Sequence, residues 1–214
     1  MILFVALIII AAIAITIYSK REKKETPKIN DKKDMKLEEL IGKGYFPKEL
    51  PPPFTTEDFA SKYHTMKGNL EGTIDRKNSS RCINYSIAKV GLIRKLIQIP
   101  NPMHQADLCE IISENWTTIS SEYSKSTLSF SKPIKKGDRA ANPSKFKEFR
   151  RSCFLSSFHS QYELKTDVAK YYPSIYTHSI PWAIHGKSFA KEKANRFDKS
   201  LLGNKLDSAV QRTM

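Results

Sequence analysis

The chain opens with a long apolar run and continues with a polar, mainly basic stretch. Residues 1–18 contain no charged side chain, and they approach the roughly 20 residues that a helix needs to cross a bilayer. Basic residues follow at once: Lys20, Arg21, Lys23 and Lys24. Because positive charge stays on the cytoplasmic side, the pattern predicts a transmembrane anchor (1–19), a basic juxtamembrane linker (20–34) and a cytoplasmic domain (35–214) on the inner membrane. The alternative is a cytoplasmic protein whose N-terminal segment is not translated.

Helical spacing of apolar residues recurs beyond the linker. Thr55 and Asp58 form a pattern typical of a capping box, and Ser179 is a possible cap of a later helix. The last helix carries an apolar stripe with no obvious partner in the sequence. The apolar positions are Leu37, Leu40 and Ile41; Leu108, Ile111, Ile112, Trp116 and Ile119; Phe146, Phe149, Cys153 and Phe158; and Leu202, Leu206 and Val210.

Alternating patterns predict strands in three places. The stretches 82–87 and 92–99 flank a turn at residues 88–91, which favours a β-hairpin. Leu128 and Phe130 alternate with serines and predict a further strand. In the third place, Tyr162, Leu164 and Thr166 alternate with Glu163, Lys165 and Asp167, so the sequence predicts a half-buried strand that ends at Asp167.

Asp167 is the residue whose position favours metal chemistry. A carboxylate at the end of a rigid strand suits an oxygen-ligated divalent cation such as Mg²⁺. The simpler interpretation of Asp167 alone is an exposed strand-end or helix-capping residue.

The composition favours a polyanionic partner. The net charge is +14 and the sequence pI is about 9.6, which suits nucleic acid or an anionic membrane surface. Residues 132–151 hold eight basic side chains against two acidic ones. Lys145, Arg150 and Arg151 from this cluster are predicted to bind nucleic acid, and the alternative is a solvated helix face.

Two other kinds of site find little support. The three cysteines are odd in number and widely spaced, so neither a disulfide framework nor a zinc site is indicated. His178 and His185 flank Trp182 without a third ligand, and we interpret them as surface or packing residues.

One stretch runs from Tyr162 to Gly186 and includes Thr-Asp167-Val-Ala-Lys-Tyr-Tyr172-Pro-Ser-Ile and Tyr-Thr-His-Ser-Ile-Pro-Trp-Ala-Ile-His-Gly. It resembles motif A of reverse transcriptases, especially the defence-associated and abortive-infection enzymes of bacteria. The likeness extends upstream through residues 44–56, 92–105 and 115–116. It covers about residues 37–214.

The resemblance implies an α+β fold made of the fingers and partial palm of a right-hand polymerase, behind the N-terminal transmembrane helix. It implies RNA-directed DNA synthesis from deoxynucleoside triphosphates in antiphage defence, with an RNA template, a DNA product and two Mg²⁺ ions. Asp167 and the Val168 carbonyl would bind metal, and Tyr172 would lie under the nucleotide sugar and reject a 2′-hydroxyl. Arg94, with Lys89 as a weaker second, would bind the triphosphate.

The aromatic-x-Asp-Asp block that reverse transcriptases carry after motif A does not occur in this sequence. Two-metal phosphoryl transfer needs carboxylates on both sides of the ion pair. The sequence therefore predicts a polymerase fragment that is inactive alone and is completed by a downstream polypeptide. The alternative function is a non-catalytic, membrane-tethered protein that binds nucleic acid.

Overall fold

Short helices make up most of the described structure. The computed structural model describes residues 35–43, 45–46, 50–51, 53–70, 78–126, 129, 132–133, 141–142, 146–168, 171, 174–192 and 200–214. Its elements are α1 (Leu37–Gly42), α2 (Glu57–Leu70), β1 (Ile83–Ala88), β2 (Arg94–Ile99), α3 (Pro102–Glu114), α4 (Trp116–Ser124), β3 (Lys132–Pro133), β4 (Ala141–Asn142), α5 (Phe146–Ser157), α6 (Ser179–His185), α7 (Lys187–Glu192) and α8 (Leu202–Arg212).

Helix α3 lies at the centre of the core. Pro102 occupies its first turn, where a missing N–H costs nothing, and the Asn101 side chain caps it by accepting a hydrogen bond from the Met103 N–H at 2.9 Å. α3 packs against α1, α4 and α8. The predicted apolar face is confirmed, because four of its side chains are buried and Ile111 is partly buried. The helix is broken at Asn115, however, so the face is shared between α3 and α4.

The apolar stripe of helix α8 is covered by other helices. The prediction that its apolar stripe lies unpartnered is wrong, because Leu206 and Val210 are buried in the same cluster as Leu40, Ile112 and Ile180. α8 packs against both α3 and α6. A sequence shows that a helix has an apolar stripe, but which other helix covers that stripe depends on long-range contacts.

The predicted hairpin is confirmed. β1 and β2 pair antiparallel from Ile83 opposite Ile99 to Ala88 opposite Arg94. At the tip, Gly91 and Leu92 have positive φ values of 86° and 61°, and the Lys89 N–H donates to the Ile93 carbonyl at 2.8 Å. Glycine adopts such a backbone without penalty, whereas leucine does not. Gly91 therefore adopts its positive φ without strain, whereas Leu92 adopts its positive φ at a cost in free energy.

The base of the hairpin is attached to the helical core at two points. The Tyr45 hydroxyl donates a buried hydrogen bond to the Pro100 carbonyl, just after β2. Burial, with a smaller contribution from Cys82, raises the pKa of Tyr45 to about 12. Just before β1, the Cys82 thiol lies 3.3 Å from the Thr213 carbonyl at the end of α8. These contacts hold the base and leave the tip exposed.

The predicted strand ending at Asp167 does not form. Residues 162–168 have no regular secondary structure, and Tyr162 and Leu164 are 90% and 89% exposed. A strand needs a partner for its backbone N–H and C=O groups. In the described part of the chain, both sheets are two-stranded, β1 with β2 and β3 with β4, and neither includes this stretch.

The predicted fold class is therefore wrong for the part described. Instead of the α+β fingers and partial palm of a right-hand polymerase behind a transmembrane helix, the residues form a mainly helical structure with small two-stranded sheets. The predicted anchor, residues 1–19, and linker, residues 20–34, lie outside the described residues, as does the strand predicted at Leu128 and Phe130. Among the helices that are described, none is both long enough and apolar enough to cross a bilayer.

Candidate functional site

The two residues predicted to bind a triphosphate lie together at the tip of the β1–β2 hairpin. Arg94 is the first residue of β2 and pairs with Ala88, directly before Lys89. Both side chains are exposed. Lys95 is also exposed, and because successive side chains on a strand point to opposite faces, it belongs to the other face of the hairpin.

The two faces of the hairpin differ in polarity. One face combines Lys95 with five apolar or aromatic residues: Ile83, Tyr85, Ile87, Ile97 and Ile99. The Arg94 face is mainly polar. On it, the Gln98 side chain donates to the Asn84 side chain at 3.3 Å, while Leu96 is the large apolar member.

Ser86 holds the Arg94 guanidinium in one orientation. Nε donates to the Ser86 hydroxyl at 2.9 Å, and Nη2 donates to the Ser86 carbonyl at 3.1 Å. Guanidinium has five N–H donors in a planar fork, so its Nη1 amino group is left for an external acceptor. Sequence reasoning missed Ser86. The signal was the hairpin register, which places Ser86 diagonally across from Arg94 on the same face.

Asp167 lies in exposed, irregular backbone. Its Oδ1 atom accepts a hydrogen bond from the N–H of the next residue, Val168, at 2.9 Å. The Val168 side chain is 57% exposed. Among the described contacts, none joins Asp167 to Arg94 or Lys89, so the structure does not bring the two halves of the predicted site together.

The described residues contain no cluster of metal-binding side chains. Among them, no group of three or more His, Cys, Asp or Glu side chains could hold a metal. Mg²⁺ is commonly bound by one or two carboxylates together with substrate phosphates and water. The assignment of Asp167 and the Val168 carbonyl as metal ligands therefore stays a prediction.

Two further predicted residues lie outside the described part of the chain. Tyr172 is one of them, and its role at the nucleotide sugar stays a prediction. Its neighbour Tyr171 is half-buried, and burial raises the pKa of Tyr171. The Ser174 N–H and hydroxyl both donate to the Tyr171 carbonyl, at 3.1 and 2.8 Å. Lys145, which is predicted to bind nucleic acid, is the second residue outside the described part of the chain.

Arg150 and Arg151 lie on helix α5, and both are exposed. The Arg150 guanidinium lies over the Phe146 ring, 5.6 Å from its centroid, within the range of a cation–π contact. No described residue of α5 is buried. The helix predicted from Phe146, Phe149 and Cys153 is confirmed, but it does not bury the face that its spacing suggested.

Both histidines near Trp182 have specific partners, which sequence reasoning did not foresee. His178 Nδ1 lies 2.6 Å from Asp207 Oδ2, and it must donate because an ionised carboxylate only accepts. Asp207 is 4% exposed and also accepts from Gln211 Nε2 at 2.8 Å. The predicted cap at Ser179 is absent, since α6 begins at Ser179 itself and no side chain caps it.

His185 also contacts α8, but through a different residue. Its Nε2 atom accepts from the Gly203 N–H at 3.1 Å. Burial lowers the pKa of His185, and Glu122 opposes the effect weakly. His185 is therefore held in the neutral form, in which one ring nitrogen accepts.

Comparison of the chain with known proteins adds no family to this picture: no protein-family model matches it, and no curated protein matches it.

Proposed function

We propose that this chain binds deoxynucleoside triphosphates as part of RNA-directed DNA synthesis, with an RNA template and a DNA product, in bacterial antiphage defence. The resemblance of residues 162–186 and 92–105 to reverse transcriptases supports the reaction class. The tip of the β1–β2 hairpin supports nucleotide binding. The net charge of +14 suits both the nucleotide and the template.

The orientation of Arg94 by Ser86 is the observation that carries the proposal. A guanidinium that already donates to the Ser86 hydroxyl and carbonyl loses little side-chain entropy when it binds a ligand. Its Nη1 group can then donate to phosphate oxygens, which accept planar, charge-assisted hydrogen bonds well. Lys89 lies beside it at the same end of the hairpin and adds positive charge without fixed geometry.

Substitution of Arg94 tests nucleotide binding, and the chain offers a matched control. Arg94→Ala should weaken dNTP affinity about 10- to 100-fold, since a hydrogen bond to a charged group contributes roughly 1.5–3 kcal/mol. Lys95→Ala removes a charge from the next residue but from the opposite face, so its affinity should stay close to that of the unmodified chain. Equilibrium titration with a fluorescent dNTP measures both. Equal losses in the two variants would show that only overall charge matters.

Ser86→Ala separates positioning from charge. It removes the hydroxyl that accepts from Nε and keeps the Arg94 charge. We expect a smaller loss of dNTP affinity than in Arg94→Ala and no change in the salt dependence of binding. If Ser86→Ala has no effect, Arg94 binds without the support that the structure shows.

The role of Asp167 is tested with the metal itself. If Asp167 binds Mg²⁺ that is chelated by the triphosphate, Mg²⁺ should raise dNTP affinity in the unmodified chain and not in Asp167→Asn, which keeps the shape and removes the charge. An identical Mg²⁺ response in both would contradict the assignment.

Substitution of Tyr172 tests the sugar contact. Tyr172→Val should admit ribonucleotides, because the smaller side chain leaves room for the 2′-hydroxyl.

A second function, nucleic-acid binding without catalysis, is favoured by the isolation of Asp167 among the described residues. Primer extension distinguishes the two functions. Because phosphoryl transfer by two metals needs carboxylates on both sides of the ions, we expect the chain alone not to extend a primed RNA template with dNTPs and Mg²⁺. Extension that Asp167→Asn abolishes would establish the enzyme. Specific dNTP binding without extension would support a polymerase component, and template binding without dNTP binding would support the second function.

A further inference from the structure

Helix α5 and the turn that follows it expose a row of three phenylalanines and one arginine. Phe146, Arg150 and Phe154 lie on α5 at intervals of four residues, and side chains at this spacing are neighbours on one face of a helix. Phe158 directly follows the helix, and its ring contacts the Phe154 ring. We call these four residues the Phe–Arg row. Its three phenylalanines are 72%, 64% and 66% exposed. Large apolar side chains exposed together mark a binding surface more often than a solvated face.

The members of the row are arranged relative to one another. Arg150 lies over the Phe146 ring at 5.6 Å, and the Phe154 and Phe158 rings meet edge to face with centroids 6.0 Å apart. Two more exposed cations, Lys147 and Arg151, follow Phe146 and Arg150 directly in the sequence and lie beside the row. The row thus combines ring faces with positive charge, and the charge lies in its first half, around Phe146 and Arg150.

The mixture of charge and aromatic rings indicates what kind of partner fits. A helix that lies in a membrane surface separates an apolar face from a charged one. Here Arg150 lies within the aromatic row, and Glu148 is on a different side of the helix, about 160° from Arg150. Proteins that bind single-stranded nucleic acid use this combination, with bases stacked on rings and cations on the phosphates.

We infer that the Phe–Arg row of α5 is a binding surface for single-stranded RNA, on which bases stack on Phe146, Phe154 and Phe158 while Arg150, Lys147 and Arg151 contact phosphates. The inference deepens the proposed function, because it names the part of the chain that holds the unpaired template. It also replaces a purely electrostatic interpretation of Arg150 and Arg151 with one in which the aromatic residues contribute.

Substitutions on α5 test the inference with the full chain and a fluorescent, uridine-only single-stranded RNA. Phe146→Ala and Phe154→Ala should each weaken binding about 5- to 100-fold, the range of stacking losses per base, with little change in salt dependence. Arg150→Gln and Arg151→Gln should each reduce the slope of log affinity against log salt by about 0.7. Leu155→Ala is the matched control. Leu155 is also exposed, at 62%, and directly follows Phe154 as Arg151 follows Arg150, but it has no ring on which a base could stack.

Three outcomes would overturn the inference. The first is an equal loss in Leu155→Ala and the phenylalanine variants. The second is equally tight binding of a double-stranded RNA of the same length, whose bases are not available for stacking. The third is binding to phosphatidylserine vesicles that the phenylalanine variants abolish while RNA binding persists. Far-ultraviolet circular dichroism of each variant shows whether α5 and the other helices are retained.

The same protein preparations separate this inference from the proposed function. Arg94→Ala should leave binding of the single-stranded RNA unchanged, and Phe154→Ala should leave dNTP binding unchanged. Loss of dNTP binding alone would contradict the hairpin proposal and keep the α5 inference. If the phenylalanine substitutions do not weaken RNA binding while dNTP binding is intact, the α5 inference is contradicted and the hairpin proposal is kept.

Discussion

His185 is the residue whose environment gives the clearest pH dependence. It accepts a hydrogen bond from the Gly203 N–H, and burial lowers its pKa. Protonation would remove the accepting lone pair and place a charge between α6 and α8. The unfolded chain has no such restriction, so its histidine titrates near the ordinary value of about 6.5.

We expect the free energy of unfolding to fall as the pH drops below about 6.5. In that range the unfolded state binds a proton at His185 more readily than the folded state does, so acid favours unfolding. Above it the contribution of His185 is fully present. Urea denaturation at about pH 7.5 and about pH 5.5 measures the difference, and His185→Gln, which keeps an acceptor and does not titrate, should reduce it. An unchanged pH dependence in His185→Gln would assign the pH dependence to other groups.

At the scale of elements, the contact between α6 and α8 depends on a glycine. A Cβ atom at position 203 would lie 2.5 Å from the Pro181 Cα atom and 3.0 Å from the His185 Cδ2 atom. Pro181 belongs to the backbone of α6 and cannot move without shifting the helix. Gly203 therefore allows the close approach that buries Leu206 and Ile180 in one cluster.

Gly203→Ala should lower the free energy of unfolding by about 1–3 kcal/mol, because overpacking a close contact forces the backbone apart. Gly68→Ala is the control, since Gly68 is exposed in α2 with nothing within 4 Å of the added carbon. There alanine should raise stability by about 0.5–1 kcal/mol through its better helix propensity. Thermal and urea unfolding of both variants test the contrast, and similar effects at the two positions would contradict the close packing.

At the scale of the whole molecule, the core joins the two ends of the described chain. Leu40 in α1 and Leu206 in α8 belong to the same hydrophobic cluster, and both are buried. α3 lies between them and contacts both helices. Because these elements share one core, they should lose their structure together.

Leu40→Ala and Leu206→Ala should each lower the free energy of unfolding by about 2–5 kcal/mol, the usual cost of a cavity left by a buried leucine. Each should also keep a single cooperative transition at a lower midpoint. Circular dichroism and tryptophan fluorescence, followed through the same urea titration, should give coincident curves, because Trp116 lies in the same cluster. Two separate transitions would show that α8 is not part of one folding unit.

Local sequence patterns predicted the features that depend on neighbouring residues. Periodicity and turn residues predicted the β1–β2 hairpin, and apolar spacing predicted α3, α5 and α8. These patterns work because side chains within a few positions of one another share a face of a helix or strand. The resemblance to reverse transcriptases also comes from the sequence, and it directs the functional proposal.

Long-range packing determines which of those patterns find partners. The alternation before Asp167 predicts a strand, but no described strand pairs with it, so the stretch stays irregular. The stripe of α8 has no evident partner in the sequence, yet α3 and α6 cover it. Ser86 with Arg94, His178 with Asp207 and Gly203 with Pro181 are contacts between separate segments. Their formation depends on strand register and helix packing, which local spacing does not encode.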